Sequence, residues 1–334
     1  MSSRTGADPF AQNKMTRREF AFGAAALASA GCMSAGPGLD LNERNAADGI
    51  KVRFLGSGAA GWDPEWLKEN PHTRRPSSVL LDGRVLIDLT PPALDMLPEG
   101  CVPEVLFQTH SHGDHYNPVA AVKSGVKRVY AHESWAAAAR ERIMEAAKKL
   151  SLPSPEVIGL AFAKSVEECG LRFTCVPADH STSRVTDGVL ERPSMYLVEK
   201  NETRLLYATD TAGIPADAAR MIGVDAHITP GNYARYAKSG SFVAPPKALS
   251  AIIMEATNGD SDTDFRMFVH SSVQDVARTV EALRSTGRYL PPAGQCAYIT
   301  HLGLKYRDWP SERIDAALPS GMRAASDGLE MVFF

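Results

Sequence analysis

Alternating and continuous apolar runs predict a series of strands and helices after residue 50. Residues 51–55 alternate polar and apolar side chains and end at the Gly-Ser-Gly of 56–58, which is typical of a strand that enters a tight loop. Residues 78–81 and 85–89 predict two more strands, and the Asp-Gly pair at 82–83 between them indicates a β-hairpin. The folded part of the chain is therefore predicted to begin with strands.

Later in the chain, apolar runs alternate with helical patterns. These runs predict strands at 105–108, 126–131, 157–161, 171–176, 195–199, 204–208, 226–229, 251–255, 297–300 and 329–333. Helical periodicity predicts one helix over 134–150 and another over 273–285, the second after the pair Ser271-Ser272, a plausible N-cap. Hairpins followed by strands interleaved with helices, twice over, predict an α/β fold. Its two mixed β-sheets would pack face to face with helices outside, as a four-layer α/β/β/α sandwich.

The first fifty residues follow a different pattern. A basic patch at 14–18 precedes an apolar stretch at 20–30, which is the order of a secretory signal peptide and is too short to span a membrane. Thr-Arg-Arg-Glu-Phe at 16–20 resembles the twin-arginine export motif. Small residues at 28–30 predict cleavage by a signal peptidase, whereas the Gly-Cys pair that follows leaves lipid attachment at Cys32 as an alternative.

The chain is therefore predicted to have three parts. These are an export signal at 1–31, a linker at 32–49 that is rich in Gly, Asn and Asp, and one folded domain at 50–334. We expect an exported protein of the periplasm or cell envelope, which contacts a membrane only if Cys32 is lipidated. The sequence indicates no oligomeric state.

Composition narrows the classes of partner. The chain has 334 residues and a net charge of −3, with both signs mixed along it, so no basic stripe indicates a nucleic-acid partner. Its five cysteines form no CxxC pair, which argues against a zinc ribbon. Their odd number argues against a disulfide framework, although the four after Cys32 could pair. We expect a small-molecule substrate.

A dense cluster of histidines follows the predicted strand 105–108. Residues 109–116 read Thr-His-Ser-His-Gly-Asp-His-Tyr, and each imidazole in a packed loop would need its own partner, so a purely structural role is hard to explain. Alternation places His110 and His112 on the same side, where they could share one ion. Asp114 and His115 then point to a second position about 3.5–4 Å away, the spacing of dinuclear hydrolases. Imidazole and carboxylate without thiolate suit Zn, with Mn or Fe as alternatives.

The HxHxDH pattern, followed by His and Asp residues at later strand ends, resembles the metallo-β-lactamase superfamily over about residues 51–334. In that superfamily a third His, a bridging Asp and a last His complete the site, and His180, Asp210 and His301 match them in order. The resemblance implies two divalent ions. It assigns one ion to His110, His112 and His180, the other to Asp114, His115 and His301, and the bridge to Asp210.

Other segments favour one branch of this superfamily. Residues 51–58, 73–78 and 327–330 look like the cyclic-phosphate phosphodiesterases of phosphonate degradation, a family that is itself similar to tRNase Z. Residues 254–257 and 269–272 are similar to the Glu-Ala-Thr and His-Ser-Thr segments of tRNase Z. Two departures prevent transfer of either family's substrate. Residues 59–72 contain no Cys, where the phosphonate enzymes carry a zinc insertion, and the long arm of tRNase Z is not evident.

The resemblance also implies roles beyond the metal ligands. In the tRNase Z group the equivalent His assists proton transfer near the scissile phosphate, which implies this role for His270, oriented by Glu255. The alternative for His270 is a helix-start residue capped by its neighbours. Arg74 and Arg75 are candidates for phosphate contact, because guanidinium matches phosphate oxygens bidentately, and a solvated surface pair is their alternative.

The remaining aromatic and imidazole residues carry weaker signals. Tyr116, directly after the histidine cluster, is predicted to form a wall of the site. His72, His132 and His227 lack a motif partner and are expected to be structural or surface residues.

Three functional hypotheses follow. The first is a metal-dependent hydrolase of small or cyclic phosphodiesters, in which the ions lower the pKa of a bridging water toward about 7, Asp114 orients the resulting hydroxide and His270 donates a proton. The second is a lactone, lactam or thioester hydrolase with the same metals, which the export signal mildly favours. The third is a metal-binding accessory protein without turnover, and the complete set of seven ligand positions argues against it.

Overall fold

Two seven-stranded β-sheets form the framework of the protein in this computed structural model. The structure describes residues 47–61, 64–182, 184–186, 188–223, 248–260 and 265–334, which belong to one compact unit, Asp40–Phe334. The predicted export signal, Cys32, His227 and the predicted strand 226–229 lie outside the described residues, as does the predicted linker up to residue 46.

The first sheet joins the amino-terminal strands to the last strand of the chain. Its spatial order is β16 (Glu330–Phe333), β1 (Ile50–Gly56), β2 (Ser78–Leu81), β3 (Val85–Ile87), β4 (Val105–Phe107), β5 (Arg128–His132) and β6 (Glu156–Leu160). Pairs from β16 to β3 are antiparallel, and pairs from β3 to β6 are parallel. The sheet is therefore mixed, as predicted.

The second sheet repeats this arrangement. Its order is β15 (Met322–Ala324), β14 (Ala297–Thr300), β13 (Ala251–Glu255), β12 (Thr203–Ala208), β11 (Ser194–Lys200), β8 (Leu171–Pro177) and β7 (Ser165–Glu168). Pairs from β7 to β12 are antiparallel, and pairs from β12 to β15 are parallel. A separate two-stranded hairpin pairs β9 (Val185–Thr186) with β10 (Val189–Leu190).

Helices cover the outer faces of both sheets. The helices of the described part of the chain, including α1, which belongs to neither outer cluster, are α1 (Pro64–Glu69), α2 (Pro91–Leu94), α3 (Pro118–Lys123), α4 (Glu133–Leu150), α5 (Ala216–Met221), α6 (Val273–Ser285) and α7 (Ser311–Asp315). Two 3₁₀ turns, Phe265–Phe268 and Leu304–Tyr306, lie in loops. Over the residues that the structure describes, no helix combines the length and the apolar character that a membrane crossing requires.

Three buried apolar clusters separate the four layers. The middle cluster contains residues of both sheets, and Phe107 of the first sheet stacks on Phe173 of the second with ring centroids 4.0 Å apart. A second cluster packs α2, α3 and α4 on the first sheet, and a third packs α5, α6 and α7 on the second. The predicted α/β/β/α sandwich of two mixed sheets is confirmed.

Several predicted elements have the bounds of observed ones. The predicted strands 251–255 and 297–300 coincide with β13 and β14, and the predicted helix 273–285 coincides with α6. The predicted strand 85–89 ends earlier, at Ile87, because Asp88 takes a left-handed backbone with φ 57°. The described cysteines, Cys101, Cys169, Cys175 and Cys296, are all free, so the disulfide pairing left open above does not form among them.

Candidate metal centre

Most candidate ligands follow the carboxyl ends of strands. The loop after β4 carries the HxHxDH residues, and the loops after β8, β12 and β14 carry His180, Asp210 and His301. In the first loop, the backbone N–H groups of His115 and Tyr116 both donate to the His112 carbonyl, at 3.1 and 2.8 Å. This turn reverses the chain, so the later half of the motif faces the same space as the earlier half.

One group of side-chain atoms surrounds a first position. His112 Nδ1 lies 2.9 Å from His110 Nε2 and 3.2 Å from His180 Nε2. Asp210 Oδ2 lies 3.1 Å from His110 Nε2. Nitrogen ligands of one tetrahedral Zn²⁺, each 2.0–2.1 Å from the metal, lie about 3.3 Å from one another. The spacing of these four residues therefore fits a shared cation.

A second group surrounds an adjacent position. His301 Nε2 lies 3.0 Å from His115 Nε2 and 3.3 Å from Asp114 Oδ2. Asp210 Oδ2 lies 3.4 Å from His115 Nε2, so this one oxygen approaches both groups. The structure thus brings together all seven predicted ligands, in the two groups that the family resemblance implies, with Asp210 between them.

Hydrogen bonds on the outer side of the rings set which nitrogen faces inward. His115 Nδ1 donates to Asp88 Oδ2 at 2.7 Å, and His180 Nδ1 donates to the Val269 carbonyl at 3.0 Å. Since Thr109 Oγ1 donates to Asp88, it accepts from His110 Nδ1, 3.0 Å away. In each of these three rings Nδ1 is engaged on the outer side, which leaves Nε2 as the nitrogen that faces the cluster and could bind a metal once it carries no proton.

A buried carboxylate oxygen also points to a cation. Asp210 Oδ1 makes no hydrogen bond within the described structure, although His301 Nδ1 lies 3.0 Å away. Buried carboxylates without a partner are costly unless a cation or donor reaches them. Together with the imidazole and carboxylate donor set, which suits Zn, Mn or Fe, this residue supports a metal at the site.

The charges within the cluster perturb one another strongly. Burial, with His180 nearby, lowers the pKa of His112 to about 4. Burial acts in the same direction on His301, but Asp210 and Asp114 outweigh it and raise the His301 pKa to about 9. Burial would raise the pKa of Asp210, but His301 and His115 hold it well below its usual range. Because the carboxylates stay ionised and some rings hold protons, cation binding would release protons.

A further histidine lies at the edge of this cluster. His270 Nδ1 donates to Glu255 Oε1 at 3.0 Å, and the His270 ring centroid is 4.9 Å from that of His180. Burial would lower the His270 pKa, but the Glu255 carboxylate raises it. His270 also forms a group with Asp210 and His301 that could hold an ion. His270 and Glu255, which lie in the two segments that resemble tRNase Z, are therefore in contact.

Glu255 is held rigidly. It is fully buried at the end of β13 and accepts from the backbone N–H groups of Thr211, Thr257 and Ser271, at 3.1, 2.8 and 3.1 Å. Its carboxylate therefore joins three loops at the carboxyl edge of the second sheet. This network fixes the direction of the His270 ring.

Three supporting residues were not predicted from the sequence. Asp88 accepts from His115, Glu191 accepts from the Ser111 N–H and hydroxyl at 2.7 and 2.5 Å, and Thr257 Oγ1 lies 2.6 Å from His301 Nδ1. Asp88 follows an apolar strand, as Asp210 does, and this signal could have identified it. Glu191 has no comparable local signal, because its partner lies 80 positions away in the chain.

The structure gives Arg74 and Arg75 roles other than the expected phosphate contact. Arg74 is 6% exposed, and its guanidinium donates to Ser57 Oγ, Ser311 Oγ and two backbone carbonyls. Arg75 donates its backbone N–H to Asp327 at 2.7 Å, and its guanidinium lies 3.5 Å from the same carboxylate. Arg74 is neither solvated nor free for a ligand, because its donors hold loops together.

The predicted wall residue and the unmatched histidines also have defined positions. Tyr116 lies in the core beneath the cluster, where it packs edge-on against Trp135 and donates to the Ala139 carbonyl at 3.2 Å. It therefore supports the first sheet and does not form a wall of the site, since its side chain is buried under α4. His132 begins α4 as its N-cap, and His72 is exposed, as expected for structural and surface residues.

Comparison with known proteins agrees with this geometry. The family model described as the beta-lactamase superfamily domain matches residues 87–292, which include the HxHxDH loop, His180, Asp210 and His270. A search of curated protein sequences found no match.

Several solved structures share the fold. A diphosphatase from the PhnP family is similar with a TM-score of 0.56 and 22% identity, over 85% of this chain and 97% of that chain. Zn²⁺-bound PqqB from Methylobacterium extorquens is similar with a TM-score of 0.51 and 18% identity, over 84% and 99% of the two chains. Unliganded yeast PDE1 is similar with a TM-score of 0.51 and 9% identity, over 86% and 99%. The family match, which spans more than half of the chain, shows that this protein belongs to the beta-lactamase superfamily and has the metallo-β-lactamase fold.

Proposed function

We propose that this protein is a metal-dependent hydrolase that cleaves small or cyclic phosphodiesters. The observation that carries the proposal is the contact of His270 with the buried Glu255 at the edge of the metal groups. The fold it shares with a protein named as a diphosphatase of the PhnP family is consistent with phosphate chemistry. Arg74 does not add support, because its buried guanidinium is engaged in structural contacts.

Each residue of the site has a distinct part in this proposal. One divalent ion would be held by His110, His112 and His180, and the other by Asp114, His115 and His301. Asp210 would contact both ions. When bound, such ions polarise phosphoryl oxygens and lower the pKa of a bound water toward about 7. Asp114, 10% exposed beside His115 and His301, would accept a hydrogen bond from the attacking water and orient it.

His270 would hold the proton that the leaving group needs. Its Nδ1 donates to Glu255, so the ring turns Nε2 away from that carboxylate. The nearby Glu255 charge favours the protonated ring, which can then donate from Nε2. An alkoxide leaving group is a strong base, and a positioned proton donor lowers the barrier to its departure.

The same two-ion arrangement could also hydrolyse a lactone, lactam or thioester, and a metal-binding accessory protein would hydrolyse none of these. Purified, metal-loaded protein assayed with a dialkyl phosphodiester, a cyclic nucleotide, a lactone and nitrocefin separates the three. We expect hydrolysis of the phosphodiesters. Hydrolysis of the lactone or nitrocefin alone would contradict the proposal, as would activity on none.

A leaving-group comparison tests the part of His270. We expect His270→Ala to lower kcat on an alkyl phosphodiester by roughly 10²–10⁴-fold, the usual worth of a positioned proton donor. The loss on a p-nitrophenyl ester should be far smaller, because that leaving group needs no proton. Metal content should be unchanged. The exposed His72→Ala is the matched control. Equal losses on both substrates, or loss of a metal, would show that His270 is structural or a ligand.

A further inference from the structure

Exposed apolar side chains border the polar metal cluster. Val185 and Leu190 of the β9–β10 hairpin are 63% and 56% exposed, and Phe268 and Leu304 are 75% and 59% exposed. Large apolar side chains gathered on a surface usually mark a place where something binds. Each of these four lies within a few residues of a side chain of the cluster or of one that holds it.

The β9–β10 hairpin stands on the side of His110, His112 and His180. It follows His180 in the chain and ends at Glu191, whose carboxylate holds the Ser111 N–H between His110 and His112. The Glu191 N–H donates to the Arg184 carbonyl at 2.9 Å and closes the base of the hairpin. The hairpin is thus fixed at both ends to the ligand loops.

The hairpin presents an apolar face. Val185 and Leu190 are direct partners across the two strands, so their side chains emerge on the same face. Both are more than half exposed, and no apolar cluster of the core includes either. This face is one candidate wall of the entrance to the cluster.

Phe268 and Leu304 stand on the side of His270 and His301. Phe268 directly precedes Val269, whose carbonyl accepts from His180 Nδ1 at 3.0 Å. Leu304 follows His301 by three positions and begins a 3₁₀ turn. These two residues therefore border the cluster from loops separate from the β9–β10 hairpin, and the loop of Phe268 also contacts His180.

A short segment joins the two loops that carry Phe268 and Leu304. Asn258 Nδ2 donates to the His270 carbonyl at 3.0 Å, and the Thr257 carbonyl oxygen packs against Gly303 so closely that a Cβ there would lie 2.1 Å from it. The loops of Phe268 and Leu304 are therefore neighbours and form one edge of the site.

The cluster is not fully closed to solvent. His110 and His115 are fully buried, whereas the His270 and Asp114 side chains keep 13% and 10% of their surface exposed. A reactant approaches past the partly exposed residues. Any group attached to its reacting centre then meets the apolar side chains.

We propose that the natural substrate is amphipathic, with a hydrolysable phosphodiester on the metal cluster and an alkyl or aryl group packed between the β9–β10 hairpin and the Phe268–Leu304 edge. This inference rests on the proposed function for the identity of the reacting group. The apolar group itself is inferred from the exposed side chains alone. Burial of one methylene is worth about a 2- to 4-fold gain in affinity.

A series of alkyl p-nitrophenyl phosphodiesters tests this proposal. Methyl, butyl and octyl members share one leaving group, so the apolar chain is the only variable. For the wild type we expect kcat/KM to rise by about 2- to 4-fold per methylene until the chain exceeds the walls. Val185→Ser with Leu190→Ser, and separately Phe268→Ser, should flatten that dependence on chain length.

Val102→Ser is the matched control. Val102 is also exposed, at 68%, but it precedes β4 at its amino end, whereas the metal loop follows the carboxyl end. We expect this variant to keep the wild-type dependence on chain length. An equal flattening in Val102→Ser would overturn the proposal.

Other outcomes separate this inference from the proposed function. Hydrolysis of the methyl member with no gain from longer chains would overturn the amphipathic substrate and leave phosphodiester hydrolysis standing. If no member is hydrolysed, the proposed function fails. The apolar site can then be tested separately by calorimetry, and we expect the affinity for alkylphosphonic acids to increase with chain length. A flat binding series would overturn this inference too. Self-association in the wild type that Phe268→Ser abolishes would assign the apolar residues to a protein interface instead.

Discussion

At the scale of single residues, three members of the centre share an unusual backbone conformation. Asp88, Asp210 and His301 follow strand ends and have φ values of 57°, 47° and 51°. Side chains other than Gly pay about 1 kcal/mol or more for this left-handed region. All three are buried, and each contacts another member of the cluster. The unfavourable backbone conformation of these three residues therefore directs their side chains into the metal centre at a local cost in stability.

Asp88 offers a direct test of this support. Its carboxylate accepts from His115 Nδ1 and from the N–H and hydroxyl of Thr109, at 2.7, 2.8 and 2.7 Å. We expect Asp88→Asn to weaken binding of the ion held by His115 by about 10- to 100-fold, because the amide is a weaker acceptor and orients the ring less firmly. A competition titration with a chromophoric chelator measures this affinity.

Asp82→Asn is the control for Asp88→Asn. Asp82 also has a left-handed backbone, with φ 47°, but it lies in the β2–β3 turn and pairs with Lys200 at 2.8 Å. Its replacement should leave metal affinity unchanged. If both variants bind metal as the wild type does, Asp88 does not support the site.

The role of a residue could be predicted from the sequence when its partners are close to it in the chain. The HxHxDH loop was visible because its ligands are adjacent in the chain. Glu191 was not, since it meets Ser111 across 80 positions. The structural contacts of Arg74 had no local signal either, because one of its partners, the Trp309 carbonyl, lies 235 positions away. A side chain whose partners come from distant loops has no signature near its own position.

At the scale of elements, the start of α4 depends on a neutral histidine. His132 Nδ1 accepts from the Ser134 N–H at 3.1 Å, which requires an unprotonated nitrogen. The ring also lies against Phe162, with centroids 4.1 Å apart. Burial, with Arg192 nearby, lowers the His132 pKa from its ordinary value to about 4. Protonation would remove the cap of the longest helix that the structure describes.

This cap predicts a pH dependence of stability. Between pH 6.5 and about 4 the unfolded chain protonates His132 while the folded chain does not, so the contribution is complete above pH 6.5 and is lost as the pH falls. The loss should be about 1–2 kcal/mol, since solvent screens part of the charge. His132→Asn keeps a capping group that does not titrate, and its unfolding free energy should fall less over this range.

Urea unfolding at several pH values measures that difference. Protonation of the metal-site histidines is common to wild type and variant, so it cancels in the comparison. His72→Asn, at an exposed position, should behave as the wild type does. An identical pH dependence in His132→Asn and the wild type would show that the cap does not couple to protonation.

The elements that the sequence predicted best carry their own end signals. The bounds of α6 follow from a capping box in which Ser272 and Asp275 exchange hydrogen bonds, three positions apart. In contrast, β7 and α5 were not predicted. The four residues of β7 show no clear alternation of polar and apolar side chains, and the six residues of α5 are too few to establish a helical periodicity. These two elements form because they pair with or pack on the second sheet.

At the scale of the whole molecule, the two sheets each supply part of the centre. The first sheet carries Asp88 and the HxHxDH loop, and the second carries His180, Asp210, Glu255 and His301. Neither sheet holds a complete metal site. The order of layers was predictable from the alternation of strands and helices. The spatial order of strands was not, because β16 pairs with β1 across almost the whole chain.

The central claim is that this centre holds two ions and hydrolyses a phosphodiester. Titration of the metal-free protein with Zn²⁺, while hydrolysis of bis-p-nitrophenyl phosphate is followed, tests it most directly. We predict that the rate rises with added metal and levels off at two ions per chain. A rate that levels off at one ion, or no hydrolysis at any ratio of metal to protein, would contradict the account.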